Sequence, residues 1–216
     1  MKPFKTKTPA PLPWTRRIGL ALCLLIVTGL AQSQSTLPAD IQSAAKRLVL
    51  DFELKSDASC LVVSVAGQRL YLVRGDTLFA SFPVSTSSVG TGSAAGSNRT
   101  PLGVHRIASK FGHGAPLATI FKARRSTGRL ATIYHDSTDV EEDLVTTRIL
   151  WLRGLEPGSN SGPGIDSYKR YIYIHGTNEE GRIGRPASHG CVRMKNEDVI
   201  TLFDCVETGT LVNIIQ

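Results

Sequence analysis

The stretch CLVVSVAGQRLYLVRGDTLFASFPVST, residues 60–86, decides the fold class of this 216-residue chain. It is rich in β-branched and aromatic side chains, which suit the pleated surface of a sheet. Gly67 and the pair Gly75-Asp76 divide it at points where tight turns are expected. The pattern therefore predicts a meander of three short strands.

Four later segments continue the strand pattern toward the C-terminus. They are VHRIASK at 104–110, RILWLRG at 148–154, RYIYIHG at 170–176 and TLVNIIQ at 210–216. In RYIYIHG, a period of two predicts that Tyr171, Tyr173 and His175 share one face of a strand. Residues 110–168 are otherwise long and irregular, which is typical of a lid over a binding site. The strands together predict one mostly β domain.

Two helices are expected beside the strands. Residues 33–58 place five apolar side chains on one helix face, namely Ile41, Ala44, Ala45, Leu48 and Phe52. We interpret residues 32–58 as a helical lead-in or linker. A second, small helix is expected to begin at Asn196 as its cap and to carry an apolar face of Val199, Leu202, Phe203 and Val206.

The first 31 residues are typical of a secretory signal peptide. Residues 1–17 contain five basic and no acidic side chains, and an apolar run of 14 residues follows from Ile18 to Ala31. This run is shorter than the roughly 20 residues of a membrane-spanning helix, so an uncleaved N-terminal anchor is the alternative interpretation. We therefore expect an exported protein of the periplasm or cell envelope.

Removal of that segment changes the net charge of the chain. The 25 Lys and Arg residues fall by five to 20 while the 18 Asp and Glu residues remain, which leaves a net charge of +2. A chain so close to neutral has no electrostatic basis for binding nucleic acid. We therefore expect no nucleic-acid partner.

Three cysteines follow the predicted signal peptide: Cys60, Cys191 and Cys205. An odd number in an oxidising compartment indicates a free thiol or an intermolecular bridge. A disulfide between Cys60 and Cys205 that leaves Cys191 free satisfies the count, and three unpaired thiols are the alternative.

Other polar residues are interpreted as structural. An acidic run and a basic run are expected to be solvated surface, comprising Asp136, Asp139, Glu141, Glu142 and Asp143, and Lys122, Arg124 and Arg125. His105, His113 and His135 are expected on the surface or in loops. Trp151 is expected to pack in the core rather than to bind a sugar.

The candidate chemistry lies in RPASHGCVRM, residues 185–194, and in a histidine 16 positions before Cys191. A helix N-terminus and a protonated imidazole would both favour the thiolate of Cys191, which is the nucleophilic form. His175 and His189 are the candidate proton carriers. Gly190 leaves room for a substrate, and the N–H groups of this turn are candidate donors to an oxyanion.

These residues resemble the L,D-transpeptidases, the YkuD-type enzymes of bacterial peptidoglycan. The resemblance rests on His175-Gly176, on the Ser188–Cys191 motif with Val192-Arg193 after it, and on GQRLYLV and RTPLGVHRI, and it extends from about Ser59 to Gln216. It implies a β-rich sandwich with a small packed helix, as a single catalytic domain over residues 59–216. It also implies no metal and no organic cofactor.

The resemblance further implies the role of each site residue. Cys191 would be the nucleophile, His175 its acid-base partner oriented by the Gly176 carbonyl, and His189 an aid to catalysis. Ser188, Gly190 and Arg193 would shape the site, hold substrate or form the oxyanion hole. Some members have Ser at the Gly176 position and Asn at the Arg193 position, which bears on substrate contacts.

The implied reaction acts on the stem peptides of peptidoglycan. Cys191 would attack the diaminopimelate–D-Ala bond of a tetrapeptide stem, release D-Ala and pass the acyl group to an amine. That amine belongs to a second stem in a 3-3 cross-link, to a lysine of an envelope protein, or to a free D-amino acid. The family is commonly inhibited by carbapenems, which acylate this cysteine.

Four alternatives remain at this point. Water as acceptor would make the protein an L,D-carboxypeptidase, and loss of catalysis would make it a wall-binding scaffold. Zinc bound by the histidines, Cys191 and Glu179 or Glu180 has the right ligand types but not the usual spacing. A papain-like hydrolase has the cysteine before the histidine, which is the reverse of the order here.

Overall fold

The computed structural model describes residues 37–216. Ten strands and two α-helices form this part of the chain, which confirms the prediction of a mostly β fold with a packed helix. Neither helix of residues 37–216 is long and apolar enough to cross a membrane. The predicted signal peptide, residues 1–31, lies outside the described residues.

The strands follow the predicted order along the chain, with two additions. Helix α1 spans Ala39–Asp51, and strands β1 to β4 span Ser59–Ser64, Arg69–Arg74, Thr77–Pro83 and Gly103–Phe111. Strands β5 to β7 span Thr119–Lys122, Arg125–Leu130 and Val145–Gly154, and β8 and β9 span Tyr173–Gly176 and Val192–Met194. Helix α2 spans Asn196–Cys205, and β10 spans Leu211–Ile215. The additions are the hairpin β5–β6, which lies in the segment that was predicted to be irregular, and the short strand β9.

All ten strands belong to one hydrogen-bonded sheet. Its main path runs β3-β2-β1-β10-β4-β7-β5-β6, and β8 branches from β7 to pair with β9. Strands β1, β2 and β3 form the predicted antiparallel meander. The C-terminal strand β10 lies between β1, which it pairs in parallel, and β4, which it pairs antiparallel.

Helix α1 packs on the sheet through the face that its sequence predicts. Ile41 and Leu48 are buried in one cluster with Val62 and Val73 of the meander. Asn213 of β10 donates a hydrogen bond to the carbonyl of Ala44 at 3.1 Å. The helix is therefore part of the folded core that contains β1 and β10.

Helix α2 begins one residue earlier than predicted. Lys195 occupies the N-cap position without a side-chain cap, and Asn196 is the first helical residue. The Asn196 amide is buried and donates to the Thr177 carbonyl at 2.8 Å, while its oxygen accepts from Thr146 at 2.7 Å. Asn196 therefore joins β7, the end of β8 and α2, and the expectation that it caps the helix is wrong.

Two further expectations differ from the structure. Cys60 is buried and Cys205 is exposed, and both are free thiols, so the suggested disulfide between them is absent. His105 is fully buried in β4, where its Nε2 lies 3.0 Å from the Ser167 hydroxyl, and this burial lowers the pKa of its imidazole to about 4. The expectation that His105 lies on the surface or in a loop is wrong, because Ser167 and other residues far away in sequence cover its ring.

The apolar face of α1 gives a direct test of its packing. Leu48→Ala is expected to lower the free energy of unfolding by about 2–5 kcal/mol, because Leu48 is 0% exposed and its truncation leaves a cavity. Leu50→Ala is the matched control on the same helix, since Leu50 is 79% exposed, and should change it by less than about 0.5 kcal/mol. Urea denaturation of both variants measures the difference, and equal losses would contradict this packing.

Candidate active site

The parallel pairing of β8 and β9 places the candidate site residues side by side. His175 lies opposite Arg193, and Ile174 lies opposite Val192. Cys191 immediately precedes β9 and lies beside Tyr173, the first residue of β8. The Tyr173 N–H donates a hydrogen bond to the Cys191 sulfur at 3.4 Å. With a side-chain period of two, Tyr173 and His175 project from the same face of the sheet. The pairing therefore brings Cys191, His175 and Arg193 to one place.

The thiol of Cys191 is held by the main chain at the start of β8. It accepts the Tyr173 N–H and donates to the Tyr171 carbonyl, also at 3.4 Å. Tyr171 is not part of a strand as predicted, since its φ of +58° lies in the left-handed region and turns the chain. This turn points the Tyr171 carbonyl at the sulfur, and it explains why β8 begins only at Tyr173.

His175 is buried and held in one orientation. Its Nδ1 lies 2.7 Å from the Gly176 carbonyl oxygen, which accepts only, so Nδ1 carries the proton and Nε2 is unprotonated in the neutral ring. A Cβ on Gly176 would lie 2.6 Å from the Asn196 side-chain oxygen and 2.9 Å from the Thr146 carbonyl. The backbone that orients His175 therefore has room only for glycine at this position.

Burial keeps both candidate catalytic groups neutral. Desolvation raises the pKa of the Cys191 thiol to about 12, and the nearby Asp143 carboxylate acts in the same direction. Desolvation lowers the pKa of His175, and the Asp143 charge and the Gly176 carbonyl only partly oppose it. At neutral pH the pair is therefore a thiol and a neutral imidazole.

The expectation of a stabilised thiolate at a helix N-terminus is thus wrong. Strand β9, Val192–Met194, separates Cys191 from α2, so the helix dipole does not start at the sulfur. The neighbouring imidazole of His175 is neutral rather than protonated, so it supplies no positive charge either.

A buried ion-pair network around Arg193 lies next to Cys191 and His175. Arg193 is 1% exposed, forms an ion pair with the equally buried Glu179, and donates to the Ala187 carbonyl at 2.7 Å. Asp143 lies 3.0 Å from the Arg193 guanidinium and 3.0 Å from Nδ1 of His189. Arg193 is therefore a buried positioning group, and Asp143 connects it to the more exposed His189.

Asp143 is the site residue that the sequence analysis missed. The sequence analysis interpreted it as one carboxylate of a solvated acidic run, and that interpretation is wrong for Asp143. No local pattern identifies it, because it lies 46 residues before His189 in the chain. Its neighbours Glu141 and Glu142 remain exposed.

Ser188 and Gly190 shape the turn that presents Cys191. Ser188 is fully buried, and its hydroxyl donates to the Cys191 carbonyl at 2.6 Å and accepts the Gly190 N–H at 3.2 Å. Gly190 has a φ of +116°, and a Cβ there would lie 3.2 Å from the Arg99 carbonyl. Neither the Ser188 hydroxyl nor the Gly190 N–H is free for substrate or oxyanion in this geometry.

An open cavity of about 870 Å³ adjoins the network. It lies between the β5–β6 hairpin and the loop before β7, and Lys122, Tyr134, Glu142, Asp143 and Asn178 are among its lining residues. Cys191 and His175 are not among its lining residues, so Asp143 is its contact with the network.

The two glutamates considered as zinc ligands have other partners. Glu179 pairs with Arg193, and Glu180 accepts from the Asn196 amide at 2.7 Å. Within residues 37–216, no three His, Cys, Asp or Glu side chains are grouped so as to hold a metal ion. Trp151 packs as expected, stacked on Tyr168 with ring centroids 3.8 Å apart.

Comparison with known proteins finds one family over this region. Residues 59–214 match the family model YkuD, described as the L,D-transpeptidase catalytic domain. The chain is 52% identical over 47 residues to the probable L,D-transpeptidase YbiS of Escherichia coli strain K12, which covers 22% of this chain and 15% of that protein. It is 50% identical over 46 residues to the putative L,D-transpeptidase YkuD of Bacillus subtilis strain 168, which covers 21% of this chain and 28% of that protein. The matched segments thus span well under two thirds of either relative.

Similar solved structures share little sequence with the chain. L,D-transpeptidase 3 from Mycobacterium tuberculosis, in complex with a faropenem-derived adduct, is 16% identical with a TM-score of 0.45, and the match covers 74% of this chain and 60% of that one. An L,D-transpeptidase from Mycobacterium smegmatis is 16% identical with a TM-score of 0.44, covering 73% and 58%.

The raised pKa of the thiol gives a test of its resting state. The rate of Cys191 alkylation by iodoacetamide is expected to rise steadily from about pH 7 to about pH 10, because the pKa of the thiol is raised to about 12. N-acetylcysteine, an ordinary thiol, should begin to level off above about pH 9. Mass spectrometry of the Cys191 peptide follows the reaction, and a plateau near neutral pH would reveal a stabilised thiolate instead.

Proposed function

The chain belongs to the YkuD family of L,D-transpeptidase catalytic domains, and from that membership we propose that it is a cysteine-dependent acyltransferase that acts on peptidoglycan stem peptides. The observation that carries the proposal is the parallel β8–β9 pairing, which brings a partly solvent-exposed thiol beside a buried, oriented histidine. This is the pair of groups that nucleophilic catalysis with proton transfer requires.

The first half of the proposed reaction forms a thioester. The Cys191 sulfur attacks the carbonyl carbon at the L-centre of diaminopimelate in a tetrapeptide stem, and its proton passes to Nε2 of His175. Collapse of the tetrahedral intermediate breaks the bond to the D-Ala nitrogen, which takes the proton from His175. D-Ala leaves as a free amine with its carboxylate and takes a further proton from water, and the stem remains as an acyl group on the sulfur.

The second half transfers that acyl group. An amine of a neighbouring stem attacks the thioester carbonyl, gives a proton to His175 and releases the Cys191 thiol with a new amide bond. A lysine of an envelope protein is a second acceptor of the same chemistry, and water would give a carboxypeptidase. The stem peptides and, as a possible acceptor, an envelope protein are the proposed partners.

The neutral resting pair favours attack and proton transfer in one concerted step. A thiol with a pKa of about 12 cannot donate its proton fully to a histidine whose pKa is lowered. The proton moves to His175 as the carbon–sulfur bond forms. Negative charge then develops on the substrate carbonyl oxygen and not on the sulfur. The thiol therefore reacts most readily when a substrate carbonyl is in place.

The remaining site residues take supporting roles in this proposal. Gly176 orients His175, and Ser188 with Gly190 fixes the turn of Cys191. Arg193 positions β9, and His189, which is held by Asp143 and keeps 60% of its side chain exposed, faces the substrate side. No step needs a metal or an organic cofactor, since thiol, imidazole and amine balance all bonds and protons.

The proposed substrate is located outside the cytoplasm. We therefore propose that residues 1–31 direct export and that the enzyme works in the periplasm or cell envelope. Carbapenems acylate thiols by the same attack on a carbonyl, so we expect this class of β-lactam to inhibit the enzyme.

Loss of the thiol tests the nucleophile. Cys191→Ala incubated with a disaccharide-tetrapeptide should give no covalent adduct and no release of D-Ala, because the attacking atom is gone. Cys205→Ala is the matched control, since Cys205 is an exposed thiol on α2 and should leave turnover unchanged. Intact-mass spectrometry and chromatography of products measure both, and a folded wild-type protein without adduct would favour the scaffold interpretation.

Removal of the imidazole tests the base. His175→Ala should fold but acylate about 10²- to 10⁴-fold more slowly, because no neighbouring group then accepts the thiol proton. Added imidazole should restore part of the rate by entering the space that the side chain left. The rate of acylation is measured by mass spectrometry of samples quenched at successive times. Acylation of His175→Ala at the wild-type rate would show that His175 is not the base.

A further inference from the structure

Arg124 occupies a strained position at the tip of the β5–β6 hairpin. The two residues between the strands, Ala123 and Arg124, have φ values of +47° and +65°. Two-residue hairpin turns of this kind usually contain Asn or Gly, because the left-handed region is unfavourable for other residues. A side chain that keeps such a backbone is held there by its contacts.

Those contacts place the Arg124 guanidinium on the aromatic cluster against which Cys191 packs. It lies over the ring of Trp151, 4.4 Å from the centroid, and 5.3 Å from the centroid of Tyr171. It also donates to the Tyr173 hydroxyl at 3.1 Å. The main chain of Tyr171 and Tyr173 holds the Cys191 sulfur. Arg124 and Cys191 therefore contact the same two tyrosines, Arg124 through their side chains and Cys191 through their main chain.

Two other arginines near the site, Arg193 and Arg170, have their guanidinium groups paired within the protein. Arg193 pairs with Glu179 and Asp143. Arg170 donates to the carbonyls of Gly92 and Arg99 at 3.2 and 2.7 Å. These guanidinium groups therefore stabilise the loops around the thiol.

Arg124 differs because most of its donors have no partner. A guanidinium has five N–H donors, and within residues 37–216 Arg124 uses one of them, toward Tyr173, and forms no ion pair with Asp or Glu. Stacking on aromatic rings uses the face of the guanidinium and leaves its in-plane edge available for two parallel hydrogen bonds. The site thus contains a cation that is positioned but not neutralised.

We propose that Arg124 binds a carboxylate of the stem peptide and so determines substrate specificity. This inference rests on the proposed function, because it assigns a role within the same site. A tetrapeptide stem offers two carboxylates near the scissile bond: the C-terminus of D-Ala and the D-centre of diaminopimelate. Both present the same chemistry to a guanidinium edge.

The consequence is a preference for charged stems. A carboxylate that pairs with Arg124 also removes the unpaired positive charge from the aromatic cluster of Trp151, Tyr171 and Tyr173. A stem whose carboxylate is amidated offers one acceptor oxygen and no charge, so it pairs more weakly. Arg124 is therefore a specificity residue, distinct from the groups that move protons at Cys191.

The test compares two neighbouring arginines on three substrates. Full-length Arg124→Gln and its matched control Arg125→Gln, an exposed residue of β6, are assayed with the native disaccharide-tetrapeptide. The same assay uses a stem with D-Ala amidated at its C-terminus and a stem with the D-centre carboxylate of diaminopimelate amidated. Alkylation of Cys191 by iodoacetamide in each variant checks that the site is intact.

We expect kcat/KM on the native stem to fall about 10- to 100-fold in Arg124→Gln, mainly through KM, because one charge-assisted pair is lost. One of the two amidated stems lacks the carboxylate that Arg124 binds, and wild type should show a similar fall in kcat/KM on that stem relative to the native stem. Arg124→Gln should have the same kcat/KM on that stem as on the native stem. That stem identifies the carboxylate. Arg124→Lys should restore part of the loss.

Two results would overturn the inference. Equal kcat/KM on the native stem in Arg124→Gln and Arg125→Gln would show that Arg124 does not bind substrate. An equal loss of kcat/KM in Arg124→Gln on all three stems would show that Arg124 acts through packing. Equilibrium binding of the native stem to full-length Cys191→Ala, with and without Arg124→Gln, separates this inference from the proposed function. Binding that depends on Arg124 supports the carboxylate site even if wild type shows no turnover, and binding that does not depend on it rejects the site.

Discussion

The arrangement of the candidate site depends on one buried charge, the guanidinium of Arg193. An arginine cannot lose its proton inside a protein, so a side chain that is 1% exposed must find anionic and carbonyl partners. It finds them in Glu179 after β8, in Asp143 before β7 and in the Ala187 carbonyl before the Cys191 turn. The loop before β7 and two points of the β8–β9 connection are thereby fixed around β9. Breaking this pairing would leave an unpaired charge in the interior, so the loops that carry the thiol and its neighbours are locked together.

The same burial that fixes the geometry also sets the chemistry. Low solvent exposure keeps Cys191 and His175 neutral, and Asp143 cannot help the thiolate because its own charge is negative. The arrangement differs from thiol enzymes that store an ion pair in the resting state. Reactivity here has to arise with the substrate in place, when charge passes through the sulfur to a carbonyl oxygen.

The sequence could predict what depends on neighbours along the chain. Alternation of apolar residues gave the meander, and helical spacing gave the apolar face of α1. The motif around Cys191 and the upstream His175 pointed to the family, which the match over residues 59–214 confirms. Features that depend on distant contacts were missed. Asp143 becomes a site residue only when its loop folds against Arg193, and His105 is buried only by elements far away in sequence. The φ of Tyr171 likewise depends on the thiol and rings around it, and no local pattern records it.

The position of β10 within the sheet sets the order in which the chain can fold. Strands β3, β2 and β1 form one flank of the sheet, β4 and β7 begin the other, and β10 is the strand that joins them. Strand β10 follows β1 to β9 along the chain, so the two flanks stay unjoined until β10 leaves the ribosome. Pairing of β1 with β10 also closes the longest loop in the domain, which makes it a slow contact to form. The nascent chain therefore stays without its complete core until β10 has been synthesised.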